Sequence, residues 1–136
     1  LPIYLILSNN KKLTVFLIGA ENELELAKKI KNKCSYSKKV IISCNPIIKN
    51  LAILSESKCF IGNDSGPLNL SGAMGIKSFG LFGASPPIKN IKNIYPLVPP
   101  SGPVNPHKDG FNPISLEEGM DLIKPNYVYK KVKKFI

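Results

Sequence analysis

Residues 59–85 read CFIGNDSGPLNLSGAMGIKSFGLFGAS, and this stretch decides the fold. Its pattern predicts a buried strand over Cys59–Gly62, a tight polar loop, a short helix over Pro67–Met74, and a second strand over Ser78–Phe82. Gly75 stands just after the helix, where a glycine commonly ends one. The stretch is therefore predicted to be one strand–helix–strand unit of a parallel sheet.

The same alternation continues on both sides of this stretch. The flanking predictions are strands at Thr14–Ile18 (buried), Val40–Ser43 and Ile94–Val98, and helices at Glu21–Lys33, Ile47–Ser57 and Pro125–Phe135. Alternation at this spacing predicts an α/β fold, a parallel sheet with helices on both faces. Leu1–Leu7 stays undecided, because a short apolar run fits a buried strand as well as a helix.

Specific caps and core-facing residues are predicted for two of these helices, Glu21–Lys33 and Pro125–Phe135. In the first, Asn22 is the expected N-cap, with Glu25 three residues later as its capping-box partner. The second is a basic helix that closes the chain. The residues expected to face the core are Leu26 and Ile30 in the first helix and Val128, Val132 and Phe135 in the second.

Composition narrows the function classes. The chain has 136 residues, enough for one domain with a sizeable core, and a formal net charge of +10. All of its basic residues are Lys, and the absence of Arg disfavours a protein that reads DNA or RNA sequence. The Lys side chains are either solvated helix faces or a surface for an anionic acceptor or membrane. Three Cys without a CxxC pair indicate neither a disulfide framework nor a zinc site, and they fit a reducing cytoplasm.

The loop after the Cys59–Gly62 strand is the first candidate site. Pro67 lacks an N–H, but the backbone N–H groups of Ser65, Gly66, Leu68 and Asn69 are predicted to be free at the helix start. Such a start binds anions, and Gly66 would let a phosphate approach the backbone. Asp64 repels phosphate and suits sugar hydroxyls instead. The competing interpretation is that Asp64 or Ser65 only caps the helix.

Three further positions are weaker candidates. Gly83 and Ser85 follow the next strand on the same rim, where Ser85 would donate to a phosphate oxygen or be an ordinary turn residue. Glu21 or Glu23 would accept ribose hydroxyls, or would only complement the helix dipole. His107, the single His, lies in a Pro-rich irregular segment over residues 86–113 and is more simply a surface residue.

The central motif resembles that of the heptosyltransferases, glycosyltransferase family nine. The family pattern is D-[ST]-G-P-x-H-x-A followed by a strand that ends in F-G-x-[ST]-x-P. The chain carries DSGPLNLS and FGASPP at these places, so Asn69 replaces the family His and Ser71 the family Ala. VFLIGAENELELAKKI and MDLIKPNYVYKKVKKFI are similar to the upstream and closing segments of the same domain. The resemblance thus spans nearly the whole chain.

The resemblance implies the C-terminal, donor-binding domain of a two-domain GT-B glycosyltransferase. It implies inverting transfer of a heptose from an ADP-sugar to a lipopolysaccharide-type acceptor without a metal or other cofactor, in the cytoplasm or peripherally at the inner membrane. The implied binding residues are Asp64, Ser65, Gly66, Pro67, Leu68, Asn69, Gly83, Ser85, Glu21 and Glu23. The base would be a carboxylate of the N-terminal domain, so residues 1–136 as a single domain are expected to bind donor and catalyse nothing alone. A non-catalytic nucleotide-sensing or interaction module is the alternative, and nucleic acid is not an expected partner.

Overall fold

A computed structural model of the chain describes residues 3–83, 86–87, 91–102 and 116–136. Within them, parallel strands alternate with helices, which confirms the predicted α/β class and gives a Rossmann-like arrangement. The strands are β1 (Val15–Ile18), β2 (Val40–Ser43), β3 (Phe60–Asn63), β4 (Ser78–Leu81) and β5 (Ile94–Leu97). The α-helices are α1 (Ile3–Ser8), α2 (Leu24–Asn32), α3 (Leu51–Ser55), α4 (Gly66–Ala73), α5 (Leu116–Asp121) and α6 (Pro125–Val132). Short 3-10 turns cover Glu21–Glu23, Ser37–Lys39, Ile47–Asn50 and Lys133–Phe135.

The strands form two sheets where a single one is predicted. β1 pairs with β2, and β3, β4 and β5 pair in that order, all in parallel. Each strand has only four residues, so each ladder is short. Helix packing joins the two parts, because α1 contacts both β1 and α6. The described part of the undecided N-terminal run, from Ile3 onward, is thus helical, and α1 links the two sheets.

Helices cover both faces of the three-stranded sheet. Phe79 and Gly80 are consecutive in β4 and therefore point to opposite faces. Phe79 packs in a buried cluster with Val128 and Val132 of α6, which face inward as predicted. On the other face Leu68 of α4 lies over Gly80, since a Cβ there would be 2.6 Å from Leu68 Cδ2. This sheet with α4 and α6 is the main core.

The two-stranded sheet is less well covered than its apolar sequence predicts. Phe16 of β1 lies opposite Ile41 of β2, and these side chains remain 39% and 42% exposed. The prediction that the first strand is buried is therefore wrong, although the strand itself is present. Phe16 and Ile41 point to the same face because they are direct partners across the ladder, so that face keeps an apolar surface in contact with solvent.

Helix α2, beside this sheet, differs from the prediction in its N-terminal cap and in the residues that face inward. A 3-10 turn starts it at Glu21, and the Glu23 carboxylate accepts the N–H of Ala20 at 2.7 Å, so Asn22 is not the cap. Glu25 instead forms an ion pair with Lys28 at 2.7 Å. The inward stripe holds Ala27 and Ile30, while Leu26 is 57% exposed. The helix packs against β2, with Ile30 turned inward as predicted and Ala27 in the place expected for Leu26.

Candidate functional site

The site is the junction where β3 passes into α4. β3 ends at Asn63, Asp64 makes the bend, and Ser65 is the extended N-cap residue with φ −160° and ψ 167°. Gly66 is therefore the first helical residue and Pro67 the second, where a missing N–H costs nothing. Because so few residues separate the two elements, the start of α4 lies at the carboxyl edge of the three-stranded sheet. Ligands of open α/β sheets bind at this edge.

The start of α4 keeps free backbone donors. No side chain caps it, and the Ser65 hydroxyl donates backwards to the Asn63 carbonyl at 3.0 Å. The interpretation that Asp64 or Ser65 only caps the helix is therefore wrong. Among the described residues, the N–H groups of Ser65, Gly66 and Leu68 have no hydrogen-bond partner. The N–H of Asn69 was expected to be a fourth free donor, but it donates to the Ser65 carbonyl at 3.2 Å.

Gly66 leaves the backbone accessible from outside. A Cβ built on it would meet nothing within 4 Å, and the residue is exposed. A phosphate oxygen can therefore approach the Gly66 N–H closely, and the positive end of the helix dipole favours an anion there. Asp64 is also exposed, and it has no hydrogen-bond or ion-pair partner among the described residues. The arrangement offers donors for an anion beside a carboxylate that can accept hydroxyl protons.

A buried pair of hydroxyl groups holds α4 on the sheet. Ser71 of α4 and Ser78 of β4 are fully buried, with their Oγ atoms 2.7 Å apart. Ser71 Oγ also lies 2.8 Å from the Leu68 carbonyl and Ser78 Oγ 2.9 Å from the Ile76 carbonyl. The two hydroxyl groups have only two protons for these three contacts. At any moment, therefore, one serine donates to the other and only one of them donates to a backbone carbonyl, or each donates to its own carbonyl. Such a buried link fixes helix to strand, each bond contributing about 1 kcal/mol.

Small residues bring the other end of α4 close to β5. A Cβ on Gly72 would lie 2.6 Å from Ile94 Cγ1, and the Asn93 amide donates to the Gly72 carbonyl at 3.1 Å. The helix ends in a Schellman motif, in which Gly75 (φ +83°) and Ile76 donate to carbonyls of the last turn at 3.1 and 3.0 Å. The helix is thus fixed along its length, which positions its N-terminal donors.

The remaining predicted positions are only partly brought together. Gly83 is buried against α5, because a Cβ there would lie 2.4 Å from the backbone N of Met120. This close packing explains why the position has no side chain. A ligand contact at Gly83 stays a prediction. Ser85 and His107 lie outside the described residues.

The two acids after β1 differ in what they do. Glu23 is used in capping its own turn, whereas Glu21 is exposed and has no partner in the described part of the chain. The dipole interpretation therefore gains support for Glu23, and Glu21 is the better candidate for ribose hydroxyls. Both acids lie in the turn that follows β1 of the two-stranded sheet, while Asp64 follows β3 of the three-stranded one.

The sequence pattern did not indicate a polar cluster at the end of β2. The fully buried Asn50 accepts from Ser43 Oγ at 2.5 Å and donates to the Asn45 carbonyl at 3.3 Å. Asn45 in turn donates to Ser43 Oγ at 3.1 Å, so it does not cap the following helix as its position suggests. The signal in the sequence is a polar residue, Asn50, within an otherwise apolar helical spacing. Its role is to fix the loop beside the candidate ribose acids.

Other kinds of site find no support in the described ranges. They hold no group of three or more His, Cys, Asp or Glu that could bind a metal ion. No helix in the same ranges is long and apolar enough to cross a membrane.

Comparison with known proteins adds the family. The model of Glycosyltransferase family 9 (heptosyltransferase) matches residues 3–99, which include the whole candidate site. The chain belongs to glycosyltransferase family 9. No curated protein and no solved structure matches it. The chain is therefore a member of a glycosyltransferase family whose fold class is GT-B. Within it, α4 begins with the free N–H groups described above.

The family match gives meaning to the two substituted positions. Asn69, in place of the family His, is exposed on the first turn of α4, so its amide is accessible to solvent. Ser71, in place of the family Ala, is the buried partner of Ser78. The second substitution therefore concerns packing, and only the first lies on the exposed surface of α4.

Proposed function

We propose that this chain binds the ADP-sugar donor in an inverting glycosyltransferase reaction that moves a heptose or related sugar to a lipopolysaccharide-type acceptor. Family membership supports glycosyl transfer, and the nucleotide and the sugar are taken from the resemblance of the DSGP motif. The observation that carries the proposal is the uncapped start of α4 with its three free N–H groups beside Asp64. The acceptor is proposed to be lipid-linked.

Each ligand part has a matching group at the site. The N–H groups of Ser65, Gly66 and Leu68 would bind the pyrophosphate, Asp64 the sugar hydroxyls, and Glu21 the ribose. Pro67 and Asn69 would line the same side, since both lie on the first turn of α4. The side chain of Leu68 is fully buried, so this residue takes part through its backbone only.

The chemistry needs charge stabilisation more than any reactive side chain here. A base removes the proton of the acceptor hydroxyl, the new C–O bond forms at the anomeric carbon, and the bond to the phosphate breaks with inversion. The leaving ADP gains negative charge, and preorganised N–H donors at a helix start stabilise it. We propose that the base belongs to a different domain of the enzyme, so that this chain alone binds the donor without transferring the sugar.

Gly66→Ala tests the anion site directly. The new methyl group is expected to block the approach to the N–H donors and lower the affinity for ADP roughly tenfold or more, since hydrogen bonds to charged groups contribute about 1.5–3 kcal/mol. The fold should be unaffected, because the added Cβ meets nothing within 4 Å. Titration calorimetry with ADP, UDP and GDP measures affinity and base preference, and thermal unfolding measures stability.

Gly75→Ala is the matched control for this variant. Its Cβ also has open space, but its φ of +83° makes a side chain unfavourable by about 1–2 kcal/mol. It should therefore lose stability and keep the ADP affinity, the reverse of Gly66→Ala. Equal ADP binding by the wild type and Gly66→Ala, or no binding of any nucleotide by the wild type, would contradict the proposal.

Asp64→Asn tests the sugar contact separately from the nucleotide. Loss of the carboxylate is expected to weaken ADP-heptose about tenfold, the size of one hydrogen bond to a charged group, and to leave ADP nearly unchanged. Glu56→Gln removes one charge from an exposed acid at the end of α3 and serves as the control. An equal loss for ADP and ADP-heptose would assign Asp64 a role other than holding the sugar.

A further inference from the structure

Lysines gather at the edge of the three-stranded sheet opposite the candidate site. Lys58, Lys77 and Lys92 each stand one or two residues before β3, β4 and β5. The register places Phe60 beside Ser78 and Ser78 beside Ile94, so the three lysines follow one another across the amino edge. Neighbouring strands are about 4.8 Å apart, which puts these residues in a row roughly 10 Å long.

The C-terminal turn adds two more lysines to this edge. Lys133, Lys134 and Phe135 form the 3-10 turn after α6. The Phe135 ring centroid lies 4.1 Å from Lys77 Nζ and 4.9 Å from Lys134 Nζ, so two ammonium groups meet at one ring. The ring itself is fixed by Phe79, whose centroid is 5.4 Å away. We call Lys58, Lys77, Lys92, Lys133 and Lys134 the amino-edge lysines.

No acid neutralises the amino-edge lysines in the described part of the chain. The ion pair found there joins Lys28 to Glu25, on α2. The segment from Leu122 to the chain end contains five Lys and no Asp or Glu. Glu56, two residues before Lys58, is exposed and forms no ion pair there. The edge therefore carries a positive charge that no acid of the described residues pairs with, and this charge favours an anionic partner.

The positive charges of Lys58 and Lys77 also act on the half-buried Cys59 thiol, at the start of β3. Burial raises the pKa of the Cys59 thiol, while the charges of Lys58 and Lys77 act in the opposite direction and lower it. Lys58 directly precedes Cys59 in the chain, and the pairing of Phe60 with Ser78 places Lys77 beside it.

Aromatic side chains accompany the lysines. Tyr95 of β5 is 45% exposed, and its ring stacks on Phe79 at 5.5 Å and lies 6.4 Å from Phe135. Lysines grouped with aromatic residues are typical of surfaces at a membrane interface. There the aliphatic part of the Lys side chain and the aromatic ring lie at the level of the lipid headgroups. The edge has no Arg fork, which bidentate recognition of a single phosphate or of guanine would favour.

We propose that the amino-edge lysines, with Tyr95 and Phe135, dock this protein on an anionic lipid bilayer. Contact is electrostatic, because the apolar side chains of α6 are buried in the core and cannot insert. The start of α4 then points away from the bilayer, toward the water from which a soluble donor arrives. That orientation rests on the proposed function, whereas the docking does not.

Vesicle binding by the full chain tests the proposal. Vesicles of phosphatidylcholine mixed with phosphatidylglycerol should bind the protein, and pure phosphatidylcholine should not. Replacing Lys58, Lys77, Lys133 and Lys134 together by Gln is expected to lower the partition coefficient by about six hundredfold, since each Lys near a charged surface contributes about fivefold. High salt should release the wild type, a test that needs no variant.

A matched control separates this surface from net charge. Lys12, Lys29, Lys33 and Lys38 are exposed and belong to the other half of the chain, and changing all four to Gln removes the same charge. The control should keep vesicle binding within a few-fold, and both variants should keep their ADP affinity. Equal losses in the two variants, salt-insensitive binding, or binding to RNA without binding to anionic vesicles would overturn the proposal.

Discussion

Leu68→Ala is expected to lower the free energy of unfolding by about 3 kcal/mol, within the usual range for a fully buried leucine. Leu68 has no exposed surface and fills the space over Gly80, where β4 has no side chain of its own. Removing it leaves a cavity between α4 and the sheet that the fixed helix cannot easily close. Urea unfolding followed by far-UV circular dichroism measures the change.

The same substitution at Leu26 is the control. The sequence spacing predicts Leu26 as an inward-facing helix residue, but it is 57% exposed and should lose less than about 0.5 kcal/mol on change to Ala. Leu68→Ala should also weaken ADP, because the donors at the start of α4 lose their support. Similar losses at the two positions would show that α4 is not packed as described.

Gly83→Ala is expected to cost about 3 kcal/mol through the opposite effect, overpacking. The new Cβ would lie 2.4 Å from Met120 N and 2.6 Å from Gly119 C, and backbone atoms cannot rotate away as a flexible side chain can. α5 must therefore shift, and the contact of Met120 with the core cluster is weakened. The loss is measured by urea unfolding, as for Leu68.

Gly66→Ala again provides the comparison, since it adds the same methyl group into open space. The pair should differ by most of the 3 kcal/mol. A loss below about 1 kcal/mol in Gly83→Ala would mean that α5 does not lie against the end of β4, and Gly83 would then be available to a ligand.

The order of elements around β3, α4 and β4 could be predicted because each has a local signal. Apolar runs of strand length, Pro67 in the first helical turn and Gly75 at the helix end all act within a few residues. The division into two sheets could not be predicted, because it depends on whether α1 or a neighbouring strand lies beside β1. Such a choice is made by packing between distant segments.

Predictions of detail within the elements were wrong where two local interactions compete for the same backbone groups. Asn22 and Glu25 form a valid capping pair on paper, yet Glu23 reaches back to Ala20 because a 3-10 turn begins the helix earlier. In the same helix Ala27 is buried and Leu26 lies outside. Propensity alone does not resolve such shifts.

The turn proposed as the candidate site has the predicted strand–loop–helix geometry, but its hydrogen bonds differ in detail from the prediction. The turn at Asp64 and Gly66 follows from the strand–glycine–proline pattern, and its uncapped state favours the anion interpretation. The use of Asn69's N–H inside the helix depends on where the first hydrogen bond closes, which the sequence does not specify. The seating of α4 by Ser71 and Ser78 was not predicted, since two serines seven residues apart carry no recognisable pattern.

The contact between α1 and α6 has a consequence for how the protein is made. These helices cover Ile3–Ser8 and Pro125–Val132, so more than a hundred residues separate them along the chain. Val128 and Val132 also complete the core around Phe79. A nascent chain can therefore form β1 to β4 on the ribosome but cannot close its core until α6 has emerged, and until then the apolar face of β4 needs protection from aggregation.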